Sequence, residues 1–206
     1  MSTSVDKKSL EDRHLSPPLS PVRTRNAAAT RTAILEAARR RFAHEGYDQT
    51  GLRDIASDAG VDAALISRYF GGKEELFEEV LTCGPNIAEF LDGDRDSFGE
   101  RVAQMLAVEP MREEKFELFL IMLRSASSPK AAEAIRRHSH DAFYQPLETW
   151  LGGDDAAVRA RLLSCVMMGA TMNRVIHEDY LLDGQQRQEL CEALARTLDN
   201  YVSGPV

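Results

Sequence analysis

The chain has 206 residues, of which 43% are hydrophobic and 28% are charged, with a formal net charge of −8. This length accommodates one large or two small domains. The sequence contains no run of 18 apolar residues and its start lacks the apolar core of a signal peptide, which predicts a cytoplasmic protein with no membrane partner. Three widely separated cysteines without a CxxC pair are typical of a reducing compartment.

The charges are distributed unevenly along the chain. Residues 1–22 carry three basic and three acidic side chains, and residues 23–73 carry nine basic and six acidic ones. Residues 74–206 carry thirteen basic and twenty-four acidic side chains. We therefore expect any nucleic acid to meet residues 23–73, while the acidic remainder repels it and orients its approach.

The first 25 residues are polar and contain three prolines, which predicts a disordered tail. A first helix is predicted from Ala28 or Thr30 to His44, with Gly46 ending it. The basic residues at the end of the tail form either a solvated linker or an arm that reaches into a DNA minor groove. These residues are Arg23, Arg25 and Arg31.

A second helix is predicted directly after Thr50, whose hydroxyl can cap it. Gly60 stands where a helix ends with a positive φ. The apolar positions follow the i, i+3, i+4, i+7 spacing of one helical face. They are Leu52, Ile55, Ala56 and Ala59.

Asp62 is the predicted N-cap of a third helix, Ala63 to Phe70, whose inward residues are Ile66 and Phe70. Eight helical residues span about 12 Å, which matches the width of a DNA major groove. A further helix is predicted from Lys73 to Leu81. The outward residues of the third helix are Ala63, Ala64, Leu65, Ser67 and Arg68.

From about Ala33 to Leu81 the sequence resembles the N-terminal domain of the TetR (tetracycline-repressor) family. The resemblance implies an all-α fold with a three-helix, helix-turn-helix DNA-binding domain over residues 26–84. It also implies a C-terminal helical domain for ligand binding and dimerisation over residues 85–206. The matching segments are Gly46 to Thr50, Leu52 to Ala56, Ala59 to Val61, Tyr69 to Gly71 and Lys73 to Leu76.

The outward side of the third helix differs from the family pattern at two points. Ala64-Leu65 replaces the usual Gly-Thr pair, and Ser67 replaces an aromatic residue. Small alanines allow close approach, and a leucine can contact a thymine methyl group. Polar and basic side chains donate to phosphates or base edges. With Arg53 added from the resemblance, the DNA-binding candidates are Arg53, Ala63, Ala64, Leu65, Ser67, Arg68, Tyr69 and Lys73.

The rest of the chain predicts further helices and no strand. Ser97 is expected to cap the first of them, and Pro146 to disturb the one that ends near Trp150. The predicted ranges are 97–108, 113–127, 129–150, 155–178 and 186–202.

The last two helices carry apolar stripes that fit either a monomeric core or a two-fold four-helix interface. The resemblance places a homodimer interface here, which would present two reading helices to a palindromic operator. The interface candidates are Val158, Leu162, Cys165, Gly169, Met172, Leu190, Leu194, Leu198 and Tyr201.

Methionine and aromatic residues of this domain form either plain core or an adaptable binding site. The resemblance favours a pocket between helices for a small apolar or amphipathic ligand. The pocket candidates are Met105, Phe116, Phe119, Met122, Leu123, Phe143, Trp150, Met168 and Met172.

The sequence thus predicts a DNA-binding transcriptional regulator, a ligand-responsive repressor acting as a homodimer. The alternatives are a helical ligand-binding or protein-interaction module that does not read DNA, and an all-helical enzyme. Phosphate-binding loops, nucleophile elbows and HExxH motifs are missing from the sequence, so neither enzymatic activity nor a cofactor is expected. His138 and His140 are two residues apart and point to different sides of a helix, which makes them a poor metal site.

Overall fold

The computed structural model describes residues 21–84, 87–110 and 113–204, with the backbone alone described for residues 21–26 and 113–115. These residues form eleven α-helices and no strand, which confirms the all-α prediction. The helices are α1 (Pro21–Glu45), α2 (Leu52–Asp58), α3 (Ala63–Phe70), α4 (Lys73–Thr82), α5 (Ala88–Leu91), α6 (Phe98–Ala107), α7 (Glu113–Ser125), α8 (Pro129–Ser139), α9 (Gln145–Leu151), α10 (Ala156–Ile176) and α11 (Gly184–Ser203).

Helix α1 begins at Pro21, earlier than the predicted Ala28. Proline is accepted in the first turn of a helix because the amide hydrogen it lacks would have no partner there. Residues 21–25, which were assigned to the disordered tail, are therefore helical. Residues 1–20 lie outside the described part of the chain.

Two predicted features of the C-terminal helices can be compared with the structure, the Ser97 cap and the disturbance at Pro146. Ser97 stands before α6, but its hydroxyl donates to the carbonyl of Asp94 at 3.1 Å and makes no cap hydrogen bond, so the predicted cap is wrong. A π-helical turn, His140–Tyr144, joins α8 to α9 immediately before Pro146. Proline cannot donate a backbone hydrogen bond, which explains why regular α geometry is interrupted at this point.

The buried side chains form two separate hydrophobic clusters. The first, which we call the reader core, combines α1–α4 with Leu118 and Ile121 of α7 and Ala131 and Ala134 of α8. The second, which we call the regulatory core, is built from α6, α9, α10 and α11. Helices α7 and α8 therefore belong to the C-terminal half in sequence and to the reader core in packing.

Close contact between α6 and α11 fills the centre of the regulatory core. Gly99 permits this approach, since a Cβ at that position would lie 2.5 Å from the carbonyl oxygen of Ala195. The Gly99 amide donates to Asp199 Oδ1 at 2.9 Å. Leu198 is fully buried here, so its assignment to the dimer interface is wrong and it belongs to the core of the protomer.

Two buried arginines donate hydrogen bonds to carbonyls at the ends of helices in this half of the molecule. Arg159 pairs with Asp155 at 2.9 Å and donates to the carbonyls of Tyr201 and Val202, at the end of α11. Its side chain is buried, and a buried guanidinium is tolerated only when paired and hydrogen-bonded. These carbonyls have no partner within their own helix, so Arg159 fixes α11 against the start of α10.

Arg174 plays the same role at the end of α6, where it donates to the Leu106 carbonyl at 3.1 Å. It also pairs with Asp179 at 2.8 Å, in a turn where residues 178–181 all have positive φ between 39° and 67°. Left-handed backbone costs about 1–2 kcal/mol per non-glycine residue. The Arg174 pair and the bond from the Tyr180 hydroxyl to Leu106, at 3.0 Å, hold this turn in place.

Candidate nucleic-acid interface

The turn between α2 and α3 is closed by local hydrogen bonds. Gly60 has a φ of 66°, and the Val61 amide donates back to the carbonyl of Ala56 at 2.9 Å. Asp62 then caps α3 by accepting from the Ala64 amide at 2.7 Å. Both the predicted cap and the predicted range of α3 are confirmed. The short turn fixes the direction in which α3 leaves α2.

Helix α3 has one buried side and one exposed side. Ile66 is fully buried and Phe70 is 8% exposed, which anchors the helix on the reader core. Ala64, Ser67 and Arg68 are exposed and define what we call the reading face. A short helix held from behind in this way can enter a major groove without losing its packing.

The remaining DNA-binding candidates on α2 and α3 differ in how exposed they are. Arg53 is exposed near the start of α2, the helix that precedes the turn. Ala63, Leu65 and Tyr69 are partly buried, and Ala63 and Tyr69 pack against the reader core. The Tyr69 ring lies 6.5 Å from the Phe70 ring, centroid to centroid. We therefore expect Tyr69 to orient the helix as well as to face solvent.

Lys73 is not simply a solvent-exposed cation at the start of α4. Its ammonium nitrogen lies 4.4 Å from the centroid of the Tyr47 ring, a cation–π contact. Partial burial lowers the pKa of Lys73, with Asp48 acting in the opposite direction. The lysine is thus held over an aromatic ring within α1–α4, which we call the reader, and this contact limits its reach toward a phosphate.

Thr50 has a role other than the predicted one. Gly51 occupies the N-cap position of α2 and makes no side-chain cap bond, so the expected threonine cap is wrong. The Thr50 hydroxyl instead donates to the carbonyl of Gly46 at 2.8 Å. Thr50 is buried, and its hydroxyl satisfies a carbonyl that follows the end of α1.

A clamp centred on Arg41 fixes α2 on α1. Its Nε and Nη2 atoms donate to the two carboxylate oxygens of Asp58 at 2.5 and 2.9 Å, and Nη1 donates to Glu45 at 2.7 Å. These hydrogen bonds lower the pKa of the Asp58 carboxyl. The sequence signals only the Arg41–Glu45 spacing of four residues; the contact with Asp58 needs the folded chain.

Other arginines of α1 are also engaged within the protein. Arg31 pairs with Glu79 of α4, and Arg39 lies 2.6 Å from a carboxylate oxygen of Glu117 in α7. Arg40 is exposed. Arg31, Arg39 and Arg41 are therefore neutralised within the protein, whereas among the described side chains of residues 27–73 Arg40, Arg53 and Arg68 are exposed cations.

Hydrogen bonds tie the end of α1 to the loop between α7 and α8. The Tyr47 amide donates to the Ser125 hydroxyl at 3.0 Å, and the Ser128 hydroxyl donates to Asp48 Oδ1 at 2.8 Å. Ser125 and Ser128 are buried. Because buried hydroxyls and amides are costly to leave unpaired, these bonds couple the reader to the following helices.

Gly46 allows the backbone of α7 to approach this junction. Its φ is 77°, and a Cβ at that position would lie 2.9 Å from the carbonyl oxygen of Arg124. The Arg124 guanidinium donates to the carbonyl of Ala43, near the end of α1. A larger residue at position 46 would separate α1 from α7.

The predicted pocket residues do not surround one cavity. Met122 packs against the reader core, whereas Met105, Phe143 and Trp150 pack against the regulatory core. Phe119 is buried, and Phe116 and Met172 are partly buried. Leu123 and Met168 are 53% and 48% exposed, so they do not line an enclosed site.

The predicted dimer residues on α10 lie largely on the surface. Val158 is 54% exposed, Cys165 and Gly169 are also exposed, and Leu162 and Met172 are partly buried. Ile176 continues the stripe and is 62% exposed. On α11, Leu190, Leu194 and Tyr201 are partly buried. We use the name α10 stripe for the surface of α10 formed by Val158, Leu162, Cys165, Gly169, Met172 and Ile176.

Within the described ranges, no group of three or more His, Cys, Asp or Glu side chains is placed to hold a metal ion. None of the helices in these ranges is long and apolar enough to cross a membrane.

Comparison with known proteins identifies both halves of the chain. The family model of bacterial regulatory proteins of the tetR family matches residues 34–80. The model of the tetracyclin repressor-like C-terminal domain matches residues 96–202. The two matches together include the second half of α1, α2, α3, most of α4, α6 to α10 and nearly all of α11.

Individual relatives match over different lengths. The HTH-type transcriptional regulator BetI of Agrobacterium fabrum is 43% identical over 51 residues, which is 25% of each chain. The probable acrEF/envCD operon repressor of Escherichia coli is 23% identical over 156 residues, 72% of this chain and 68% of the repressor.

A solved structure shows the same fold. NalD of Pseudomonas aeruginosa, the secondary repressor of the MexAB-OprM multidrug efflux pump, superposes with a TM-score of 0.65 at 24% identity. The match covers 82% of this chain and 96% of NalD. The helix-turn-helix geometry, the C-terminal helices and the family matches agree, and the chain belongs to the TetR family of bacterial regulatory proteins.

Proposed function

We propose that this protein is a ligand-responsive transcriptional repressor that binds a palindromic operator as a homodimer. The observation that carries the proposal is the reading face of Ala64, Ser67 and Arg68, exposed on a helix whose opposite side is buried. Two of the relatives described above are named as repressors, which favours repression over activation.

The α10 stripe supports the dimer. Along α10 the residues of this stripe, spaced every three or four positions, are exposed or partly buried, with Val158 and Ile176 more than half exposed. Such a continuous apolar surface is typical of a subunit interface. A two-fold axis beside α10 would present two α3 helices to two half-sites, and the half-site spacing would follow from the geometry of the dimer.

The junction of α1 with α7 and α8 supports a ligand response. The bonds of Tyr47 with Ser125 and of Asp48 with Ser128 connect the reader to the C-terminal helices. A ligand that prefers one arrangement of those helices would change the population in which both readers match the DNA. We expect the coupling to act through this junction.

The proposal is tested by gel mobility shift with the full chain and the DNA upstream of its own gene, measured at several salt concentrations. We expect specific retention that weakens as salt rises, since phosphate contacts release counterions. Arg68→Ala should lower the affinity by about 1–3 kcal/mol, roughly five- to 150-fold.

The matched control is Arg136→Ala, which removes the same charge from an exposed site on α8. It should leave specific retention within about twofold of wild type, because surface charges distant from DNA are screened. Absence of any specific shift at low salt, or equal effects of both variants, would overturn the assignment of α3 as the reader.

A further inference from the structure

Arg31 is the one basic residue of the predicted N-terminal arm whose side chain the structure describes. It lies within α1, and its side chain is engaged by two other helices. The guanidinium carbon lies 4.9 Å from the centroid of the Phe70 ring, and the Nη2 atom donates to a carboxylate oxygen of Glu79 in α4. Phe70 is the last residue of the reading helix α3. One side chain of α1 therefore contacts both α3 and α4.

The two ends of α3 are fixed by different means. At its start, Asp62 caps the helix by accepting from the Ala64 amide at 2.7 Å. At its other end the chain runs into Gly71, whose φ is 98°, and then Gly72. Because glycine restricts the backbone least, this connection does not by itself determine where α3 ends. The packing around Phe70 has to do so.

The Arg31 guanidinium closes over the outer side of Phe70 and joins it to α4. Phe70 is 8% exposed and belongs to the reader core. The side chains of Arg31 and Glu79 are 42% and 29% exposed, so their ion pair is partly shielded from water. Arginine suits this place because its planar group can lie over an aromatic ring while its N–H groups donate to a carboxylate.

A direct contact of Arg31 with a DNA phosphate fits this arrangement less well. The Nη2 atom already donates to Glu79, and two further carboxylates of α4, Glu75 and Glu78, are exposed. A phosphate would have to displace Glu79 and approach the negative charge of α4. Both steps cost electrostatic energy, since like charges repel.

We propose that Arg31 is a positioning residue for the reading helix: it holds the C-terminal end of α3 where Ser67 and Arg68 can meet the bases of an operator. This consequence rests on the proposed function. The helix spans about 12 Å, so a tilt of about 5° at its capped end moves the other end by about 1 Å. Binding contacts must be held within about 0.5 Å. Loss of Arg31 therefore removes base contacts, which carry specificity, and preserves phosphate contacts.

The first measurement uses the free protein and does not depend on DNA. The Gly71 amide donates to the Ser67 carbonyl at 3.0 Å and reports on the far end of α3, whereas the Ala64 amide reports on its start. Arg31→Gln should speed hydrogen exchange of the Gly71 amide about two- to fivefold, as expected for loss of an exposed cation–π contact, and should not change Ala64. Arg136→Gln removes an arginine that is paired within α8 alone, and it should change neither rate.

The second measurement compares two dissociation constants over a range of salt, one for the DNA upstream of the gene and one for a shuffled fragment of equal length. Arg31→Gln should raise Kd for the upstream DNA about tenfold and change Kd for the shuffled DNA less than about twofold. The salt dependence should stay that of wild type, because no phosphate contact is lost. A merely structural role would lower the fraction of active protein and leave both Kd values unchanged, which would overturn the proposal.

Glu79→Gln gives the decisive result, because the two possible roles of Arg31 predict opposite signs. An Arg31 that binds phosphate would lose a competitor, so both DNAs would bind more tightly. A positioning Arg31 loses its anchor on α4, so Kd for the upstream DNA should rise about three- to tenfold. The double variant should resemble Arg31→Gln alone, since both residues belong to one pair. Glu133→Gln, the matched change on α8, should alter Kd less than about twofold.

The proposal is overturned if Arg31→Gln weakens both DNAs equally and lowers the salt slope by about one, as loss of a phosphate contact would. It is also overturned if Glu79→Gln tightens binding. Faster exchange at Gly71, in a protein that retains no upstream DNA, would support the role of Arg31 in holding α3 and refute the proposed function. Specific retention of upstream DNA, with Gly71 exchange and Kd unchanged by Arg31→Gln, would do the reverse.

Discussion

The two hydrophobic cores differ in how completely one protomer covers them. The reader core is closed, and its large side chains Phe42, Phe77, Ile55 and Ile66 are buried. The regulatory core is buried on the α6 and α11 side, but the α10 stripe remains exposed. This contrast indicates that the reader can be completed within one chain, whereas the C-terminal half needs a further surface to cover it.

A second difference concerns how each core relates to the order of the chain. The sequence predicted a boundary between residues 84 and 85, and the family matches also fall on either side of it. The reader core nevertheless includes Ile121 of α7 and Ala134 of α8. These two helices are therefore the physical link between the reader and the C-terminal half.

The largest expected effect tests this link. Phe42→Ala empties a fully buried site where the ring lies 5.0 Å from that of Phe77, and should lower the free energy of unfolding by about 3–5 kcal/mol. The single tryptophan, Trp150, packs against the regulatory core and reports on it by fluorescence. We expect urea unfolding followed by fluorescence and by circular dichroism to shift together.

The outcome that would break this link is a split transition, in which fluorescence of Trp150 keeps its wild-type midpoint while part of the helical signal is lost earlier. Leu163→Ala, in the regulatory core, is the reciprocal variant because Leu163 is also fully buried. Both variants should shift both signals if α7 and α8 couple the cores.

The next expected effect concerns the exposed side of α10. Gly169→Glu places a charge in the middle of the α10 stripe, where a Cβ meets no atom within 4 Å in the protomer. The substitution should favour the helix locally, since glycine is about 1 kcal/mol less favourable than good helix formers. It should still abolish dimerisation, because an unpaired charge would be buried in the interface.

Light scattering at about 10 μM is the measurement, and we expect a dimer for wild type and a monomer for Gly169→Glu. Gln188→Glu adds the same charge at an exposed position of α11 outside the predicted interface and should remain dimeric. A wild-type monomer, or a dimeric Gly169→Glu, would refute the α10 stripe as the interface.

The reader could be predicted from sequence because its signals are local. Asp62, Gly60 and the spacing of Ile66 and Phe70 each act within one turn of helix, and the structure confirms the range of α3 and its cap. The clamp between Arg41 and Asp58 could not be predicted, because many carboxylates stand at comparable distances along the chain. Thr50 shows that even a local signal can be off by one residue, because Gly51 occupies the N-cap position of α2 and the Thr50 hydroxyl donates to the Gly46 carbonyl instead.

The C-terminal half was predicted less well because its helices are apolar on several sides. An apolar stripe identifies a packed face but does not distinguish core from interface. The apolar spacing assigns Leu198 to the interface, yet Leu198 is fully buried in the regulatory core of the protomer. The burial of Arg159 and Arg174 could not be predicted from the nearby Asp155 and Asp179 alone, because it depends on backbone carbonyls of distant helices, which leave no mark in the sequence.

A smaller effect tests the left-handed turn after α10. Asp179→Asn removes the charge that pairs with the buried Arg174, while asparagine still tolerates the positive φ at this position. The carboxylate is half exposed, so we expect a loss of about 1–2 kcal/mol in the free energy of unfolding. Asp92→Asn, on an exposed carboxylate elsewhere, should cost less than about 0.5 kcal/mol.

The pKa of Asp179 determines how the effect of this substitution on stability depends on pH. Hydrogen bonding to Arg174 lowers the pKa of Asp179 below its ordinary value of 3.8. A lowered pKa stabilises the fold above pH 3.8 and the contribution is lost as the pH falls through the folded value. The difference in free energy of unfolding between wild type and Asp179→Asn should therefore be largest at neutral pH and should disappear in acid. A difference that stays constant down to the acid transition would contradict the charge pair as its cause.

The smallest expected effect separates a helix held by its cap from one held by packing. Asp62→Ala removes the acceptor of the Ala64 amide at the start of the eight-residue α3, and should cost about 1 kcal/mol. Ser97→Ala, at the equivalent position of α6, should cost less because Ser97 makes no cap bond. Faster hydrogen exchange at Ala64 should accompany the first change and be restored by Asp62→Asn, which keeps an acceptor. Equal costs for the two alanine variants would mean that packing, and not its cap, positions the reading helix.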